Sequence, residues 1–172
     1  GVVTHGKVPF LSYYAVPSSI CWVVVVVFYH GGKVSRSPSP MSGRDLNLEK
    51  NQLSHLPDEL ASLVQLTELN ISKNKFTFLP LIICQLPNLQ KLNASRNRIG
   101  SIPNQIANCP HLQVIDFYDN IIADFGSGIF KLSELKTLNI EGVMYGTNFA
   151  DDLKRKLPNV NVLLDPPCKC LN

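Results

Sequence analysis

Few residues in this sequence combine a reactive side chain with the spacing that chemistry needs. The tripeptide Asp124–Gly126, DFG, is the metal-binding signature of protein kinases, but none of the other kinase motifs accompanies it. Cys168 and Cys170 supply two thiols, half of the set that a structural zinc ion requires, and no spaced His or Cys pair completes it. We therefore expect Phe125 to be a packing residue, residues 166–172 to be a tail, and the chain to bind no metal or other cofactor.

The histidines do not mark an active site either. They are scattered along the chain, at His5, His30, His55 and His111. No pattern pairs one of them with an acid and a nucleophile, and the sequence holds no phosphate-binding loop or paired-carboxylate motif. An enzyme is therefore not expected, and the function must come from a binding surface.

Charge and cysteine content narrow the partner and the compartment. The formal net charge of +3 comes entirely from Lys7, Lys33 and Arg36, because residues 1–40 contain no acid. In residues 41–172 the 13 basic side chains match 13 acidic ones. Nucleic-acid binding needs a concentrated basic surface, so it is not expected. Five cysteines are an odd number for a disulfide framework, which favours a reducing, cytoplasmic location.

The element that must position any binding surface is a repeat of 23 residues. The stretch Leu66–Phe76, LTELNISKNKF, returns as LQKLNASRNRI at Leu89–Ile99 and as LQVIDFYDNII at Leu112–Ile122. The shared frame is LxxLxLxxNxL, and we number its places from one to eleven. A frayed first copy begins at Gly43 and a fifth at Leu135. A fixed period of this kind indicates a stacked repeat architecture.

Each part of the frame has a physical role. Alternating apolar residues at places four and six predict a short strand with one buried face, and stacked copies would pair as a parallel sheet. The Asn of place nine recurs as Asn51, Asn74, Asn97 and Asn120, with Val143 in the fifth copy. An amide can donate and accept hydrogen bonds at once, so these side chains should form an internal row where the chain turns away from the strand.

The second half of each copy predicts the opposite face. Apolar-Pro pairs end in Pro57, Pro80 and Pro103, and apolar residues follow at the spacing of a helical or 3₁₀ turn. This LPxxI pattern and the frame resemble the leucine-rich repeat family, in the intracellular 23-residue class of Ras-pathway scaffolds of the SHOC and Ras-suppressor type and of small leucine-rich repeat-containing proteins. The resemblance implies an α/β, right-handed solenoid with short parallel strands on the concave face and helical or 3₁₀ turns on the convex face.

The chain is expected to have three parts. Residues 41–165 form the leucine-rich repeat domain of about five repeats, and residues 166–172 form the tail. The stretch 157–165, LPNVNVLLD, resembles the closing cap of intracellular members, since a terminal repeat needs a more polar outer side. No comparable cap precedes Gly43, so we expect upstream repeats to be missing. Residues 1–40 form an apolar and linker segment of doubtful order.

Residues 1–40 have three interpretations. The run Ile20–Tyr29, ICWVVVVVFY, is too short to cross a bilayer, which takes about 20 residues, but it has the length of a signal-peptide core. Its valines also favour a strand, which could pair with the open edge of the first repeat. Alternatively, the segment is translated upstream sequence, because the first Met is Met41. Ser35–Pro40, SRSPSP, predicts a flexible linker after it.

The concave sheet is the surface on which we expect a partner to bind. Places three, five, seven, eight and ten should point into it, with basic residues at places eight and ten early in the array and acidic or aromatic residues in the fourth copy. A face whose charge changes sign can orient a partner as well as attract it. The candidate partner-binding residues are Lys50, Asn70, Lys73, Lys75, Asn93, Arg96, Arg98, Asp116, Tyr118 and Asp119.

These features predict a non-catalytic protein–protein interaction module, a scaffold or adaptor in the cytoplasm with no membrane partner. The resemblance to Ras-pathway scaffolds implies a small GTPase or a phosphatase as the partner in signal transduction. The alternative is a secreted or membrane-tethered recognition domain. Asn70–Ser72 and Asn93–Ser95 match the N-glycosylation pattern but lie in predicted strands, so sugar at either Asn would favour the alternative.

Overall fold

The computed structural model describes residues 11–14, 25–30, 33–34, 44–145 and 147–166. They fall into two units, Gly1–Gly43 and Arg44–Asn172, and each is described by itself. No helix in the described part of the chain has the length and apolarity needed to cross a membrane.

The first unit contains three short strands, β1 (Leu11–Tyr14), β2 (Val25–His30) and β3 (Lys33–Val34). Strand β2 pairs antiparallel with β1 on one side and with β3 on the other. The Val-rich run therefore forms a strand, as its β-branched composition favours. The pairing with the first repeat, which was one alternative, is not the pairing found. The predicted linker Ser35–Pro40 lies outside the described residues.

The second unit is built on a parallel sheet. Its strands in chain order are β4 (Asp45–Asn47), β5 (Glu68–Asn70), β6 (Lys91–Asn93), β7 (Ser101–Ile102), β8 (Val114–Asp116), β9 (Asp124–Phe125), β10 (Thr137–Asn139) and β11 (Asn161–Leu163). Six of them form one sheet in the order β4-β5-β6-β8-β10-β11, and β7 pairs with β9. Neighbouring strands are in register one repeat apart, so that Asn47, Asn70 and Asn93 lie side by side. The predicted parallel sheet is confirmed.

On the other side of each copy the chain forms a 3₁₀ turn. These turns span Asp58–Ser62, Leu81–Gln85, Asn104–Asn108 and Ser127–Lys131. A proline stands directly before each of the first three, and its carbonyl accepts the first hydrogen bond, as Pro57 does from the N–H of Leu60 at 3.1 Å. In the fourth turn Gly126 takes this place. The predicted α/β solenoid with 3₁₀ turns is therefore the observed fold.

The frame residues form the core between the two faces. In copies two to five the apolar residues at places one, four and six are at most 5% exposed. Full burial of one such aliphatic side chain stabilises a fold by about 1.5–3 kcal/mol. Cys84 and Cys109 are buried among them, and burial raises the pKa of their thiols to about 11 and about 12. Both cysteines are therefore small packing groups at neutral pH, not nucleophiles.

The asparagines of place nine form the predicted internal row. The Asn97 side chain accepts a hydrogen bond from the N–H of Phe76 at 3.2 Å. Its Nδ2 donates to the carbonyl of Ile71 in the previous copy at 3.0 Å and to two carbonyls of its own turn. Asn74 and Asn120 repeat this arrangement one copy earlier and one copy later. Each side chain thus satisfies backbone groups that the bend leaves without strand partners.

A helix and a strand close the described end of the array. Helix α1 (Thr147–Lys156) places Phe149 against Phe125, with ring centres 4.7 Å apart, and against Tyr145 at 5.8 Å. Phe125 is therefore a packing residue, as expected from its place in the repeat. Strand β11 then pairs with β10, and Asp165 accepts a hydrogen bond from the N–H of Gly142 at 2.5 Å.

Candidate partner-binding surface

Place eight has one backbone conformation in every copy and a different chemistry in each half of the array. This place-eight row consists of Lys50, Lys73, Arg96, Asp119 and Gly142, and each has φ between 53° and 76°. Side chains are disfavoured in this left-handed region by about 1–2 kcal/mol, so the surrounding turn must impose it. The N–H of Lys73 and that of Arg96 each donate to a carbonyl of the next copy, at 2.9 and 2.7 Å, which fixes the turn.

Three of the candidate binding residues stand at place five and hold this turn in position. The side-chain oxygens of Asn70, Asn93 and Asp116 each accept a hydrogen bond from the N–H two residues later, at 2.9–3.0 Å. This is the local bond that makes Asn and Asp common in turns. All three side chains are half-buried. They support the surface from beneath, and the sequence pattern alone gave no signal of these bonds.

The basic side chains of the place-eight row are partly neutralised within the molecule. Glu49 lies 2.7 Å from the Lys73 ammonium and 3.9 Å from that of Lys50. The hydrogen bond from Lys73 holds the pKa of Glu49 below its usual value. The guanidinium of Arg96 lies over the ring of Tyr118, 5.6 Å from its centre, a cation–π contact.

The place-ten row lies beside it and consists of Gln52, Lys75, Arg98, Ile121 and Met144. The Lys75 ammonium donates a hydrogen bond to the side chain of Gln52 at 3.1 Å. Ile121 is 67% exposed and Met144 is 74% exposed, although both are apolar. Neither was among the predicted site residues. The available signal was the change from basic to apolar side chains at one frame place.

A further charge pair lies at the centre of the sheet. Lys91 and Glu68 occupy place three of neighbouring strands, and their charged atoms are 2.5 Å apart. The Glu68 carboxylate raises the pKa of Lys91. Both side chains are exposed, so this pair is a recognition feature of the concave face more than a source of stability.

The structure brings together some of the predicted residues and separates others. Arg96, Tyr118 and Asp119 meet at the boundary between the third and fourth copies, where the charge changes sign. Lys75 and Arg98 lie along the neighbouring row. Within the described residues, no three His, Cys, Asp or Glu side chains are grouped as metal ligands.

Comparison with known proteins gives the same architecture. A family model described as a leucine-rich repeat region matches residues 42–164. A search for similar curated proteins finds no match.

Solved structures extend this result. A leucine-rich repeat protein of Leptospira interrogans is 31% identical with a TM-score of 0.65, and the match covers 68% of this chain and 30% of that one. The plant peptide hormone receptor RGFR1, solved in complex with RGF2, is 28% identical with a TM-score of 0.53, over 59% of this chain and 17% of the receptor. The BIR3–SERK2 complex from Arabidopsis thaliana matches at 27% identity and a TM-score of 0.55, over 72% of this chain and 68% of that one.

Proposed function

This chain belongs to the leucine-rich repeat family, and on that premise we propose that it is a non-catalytic module that binds a protein partner through its concave sheet. Repeat proteins of this kind present an extended, curved surface on which partners bind. A solved relative, RGFR1, is a receptor in complex with RGF2. Fold alone does not define a partner, so the proposal depends on the surface itself.

One observation carries the proposal. The frame residues that recur between copies are buried, whereas the residues that differ between copies are exposed on one face. The stack would form with any small set of polar residues at those places. The particular sequence of Lys73, Arg96, Tyr118 and Asp119 therefore provides a specific surface of changing charge, which can select and orient a protein partner.

We assign the module to signalling as a scaffold in the cytoplasm, with a small GTPase or a phosphatase as the partner. The support is the 23-residue LPxxI pattern, which resembles that of Ras-pathway scaffolds, together with an odd number of cysteines. Two of these, Cys84 and Cys109, are free thiols in the core, as in proteins of a reducing compartment.

The test compares a concave variant with a matched convex one. The concave double variant Tyr118→Ala/Asp119→Lys keeps the turn, because Lys73 already adopts the same left-handed conformation. The convex double variant Lys131→Glu/Lys154→Glu reverses two exposed charges away from the sheet. The full chain and both variants are immobilised, and captured proteins are quantified by mass spectrometry after circular dichroism has verified folding.

We expect one set of proteins to bind the parent chain and the convex variant and to be lost from the concave variant. A captured GTPase or phosphatase would then be purified and its affinity measured directly. If the concave variant retains every partner, the concave sheet is not the binding site and the proposal fails.

A secreted or membrane-tethered recognition domain is the second candidate. It is favoured by the likeness to RGFR1, a plant peptide hormone receptor. Asn70 and Asn93 belong to glycosylation patterns, and no printed hydrogen bond uses their Nδ2 atoms, but the Ser72 and Ser95 side chains of these patterns are buried. Mass spectrometry of the chain expressed in secretory cells decides the matter. Sugar at either Asn in chain from the native source would overturn the cytoplasmic assignment, whereas unmodified peptides would support it.

A further inference from the structure

The place-ten row differs from the place-eight row in being open to a partner. Glu49 already pairs with Lys73, and Tyr118 already covers the guanidinium of Arg96. By contrast, no acidic side chain among the described residues pairs with Arg98, which is exposed. The charge that remains available for a partner is therefore at place ten.

The members of the place-ten row are held side by side by the backbone. The N–H of Lys75, of Arg98 and of Ile121 each donates to the place-eleven carbonyl of the copy before it, at 2.7–3.2 Å. In the fifth copy Gly142 lies against the backbone of Asp119, so that Met144 follows Ile121 in the same row. Two basic side chains are thus followed by two exposed apolar ones along the axis of the solenoid.

The row has the dimensions of a short extended peptide. Neighbouring strands are about 4.8 Å apart, so the three steps from Lys75 to Met144 span roughly 14 Å. An extended chain rises about 3.3 Å per residue, and therefore four or five residues would cover the row. The side chains on one side of such a peptide are about 6.6 Å apart, which places an acidic residue about two positions from an apolar one.

Nearby charges fix the direction of such a peptide. Asp119 and Asp124 are exposed and lie within three residues of Ile121 in the sequence. They would repel a carboxylate placed over the apolar end, whereas Arg98 and Lys75 attract one at the other end. The same two aspartates oppose an anionic membrane surface at the apolar end.

We propose that the place-ten row binds an extended segment of the partner protein in which one or two acidic residues are followed or preceded at short spacing by exposed apolar residues. The acidic residues contact Arg98 and Lys75, and the apolar residues cover Ile121 and Met144. This inference rests on the proposed function, since it defines the chemistry of the partner that the sheet would bind.

The experiment selects phage-displayed random linear peptides on the full chain and measures the affinity of enriched peptides by fluorescence anisotropy. We expect enrichment of Asp or Glu beside Leu, Ile, Met or Phe. Arg98→Glu should weaken binding by about tenfold, and Ile121→Ser by a similar factor. A peptide whose acidic residue is replaced by Lys should bind Arg98→Glu better than it binds the parent chain.

Two matched variants serve as controls. Lys154→Glu reverses an exposed charge on α1, and Phe78→Ser removes an apolar side chain that is 71% exposed outside the row. Both should leave the peptide affinity within about twofold of the parent value. Added salt should weaken peptide binding to the parent chain more than to Arg98→Glu, because it screens exposed charges.

Several results would overturn the inference. These are no enriched peptide, enriched peptides without an acidic residue, an Arg98→Glu affinity equal to that of the parent, binding to phosphatidylserine vesicles that Ile121→Ser abolishes, or a dimer that Met144→Ser dissociates. Partner capture separates this failure from that of the proposed function. Capture lost in Tyr118→Ala/Asp119→Lys but kept in Arg98→Glu/Ile121→Ser leaves the concave sheet as the site and removes only the place-ten row.

Discussion

Places nine and ten are neighbours in sequence and opposites in environment. Asn97 is 9% exposed and its amide bonds to backbone groups of two copies, whereas the next residue, Arg98, is exposed. Asn120 is 4% exposed and Ile121 is 67% exposed. The fold is therefore determined at one place and the partner at the next, with a single peptide bond between them.

The backbone explains how so abrupt a change is tolerated. The N–H of Arg98 donates to the carbonyl of Phe76 at 2.9 Å, and this bond does not involve the side chain. Any residue other than proline can make it. The place-ten backbone is therefore part of the stack, while its side chain is free to vary, as the change from Arg98 to Ile121 illustrates.

The largest effect is expected at place nine, from Asn97→Ala. The substitution removes the acceptor of the Phe76 N–H and the donor to the Ile71 carbonyl, both buried. Each buried group left without a partner costs about 1–3 kcal/mol, so the free energy of unfolding should fall by about 3–5 kcal/mol. Urea unfolding of the full chain, followed by circular dichroism, measures this loss.

Arg98→Ala is the matched control one residue later. Surface substitutions usually change stability by less than about 0.5 kcal/mol. Equal losses for Asn97→Ala and Arg98→Ala would mean that the two places do not differ as the structure indicates.

Much of the fold was predictable because it depends on residues that recur at one period. The spacing of Asn74, Asn97 and Asn120 predicts the internal row, and alternating leucines predict the parallel sheet. The surface was less predictable, because its contacts join residues of different copies. Glu49 and Lys73 are 24 residues apart, and only the register of the stack shows that they meet. The turn bonds of Asn70 require knowledge of the backbone after the strand.

The next largest effect is expected on the convex side, from Gly128→Ala. A methyl group at Gly128 would lie 2.0 Å from the carbonyl oxygen of Asn104, so one backbone segment must move. Overpacking of this kind should lower the free energy of unfolding by about 2–3 kcal/mol. At Gly100 the nearest atom to an added methyl group is the Thr77 oxygen at 3.9 Å. Gly100→Ala should therefore be neutral or stabilise the chain by up to about 1 kcal/mol. Urea midpoints of both variants extend the contrast between fixed and free places, and equal midpoints would contradict it.

A smaller effect is expected at place five, from Asn93→Ala. The Asn93 side chain accepts hydrogen bonds from the N–H of Ser95 at 3.0 Å and from its hydroxyl at 2.7 Å. Their loss should cost about 1 kcal/mol, because water reaches this half-buried turn more easily than the buried Asn row. Asn93→Asp should restore most of the stability, since a carboxylate accepts the same bonds. If Asn93→Ala instead matches Asn97→Ala in urea unfolding, place five belongs to the internal framework.

The smallest effect is expected from the pH dependence of the Glu49–Lys73 pair. Because Lys73 holds the folded-state pKa of Glu49 below its ordinary value, the pair contributes stability above the unfolded pKa of about 4.3 and loses it as the pH falls through the lower folded pKa. The pair is only partly buried, so this contribution should be below about 0.5 kcal/mol. NMR titration of the Glu49 carboxyl provides a direct measurement. In Lys73→Gln the pKa of Glu49 should rise to the ordinary range, whereas in Arg98→Gln it should not change, since Arg98 is not among the groups that lower it. A Glu49 pKa that responds equally to both substitutions would mean that places eight and ten form one electrostatic surface, and the distinction between an internally paired row and an open one would be lost.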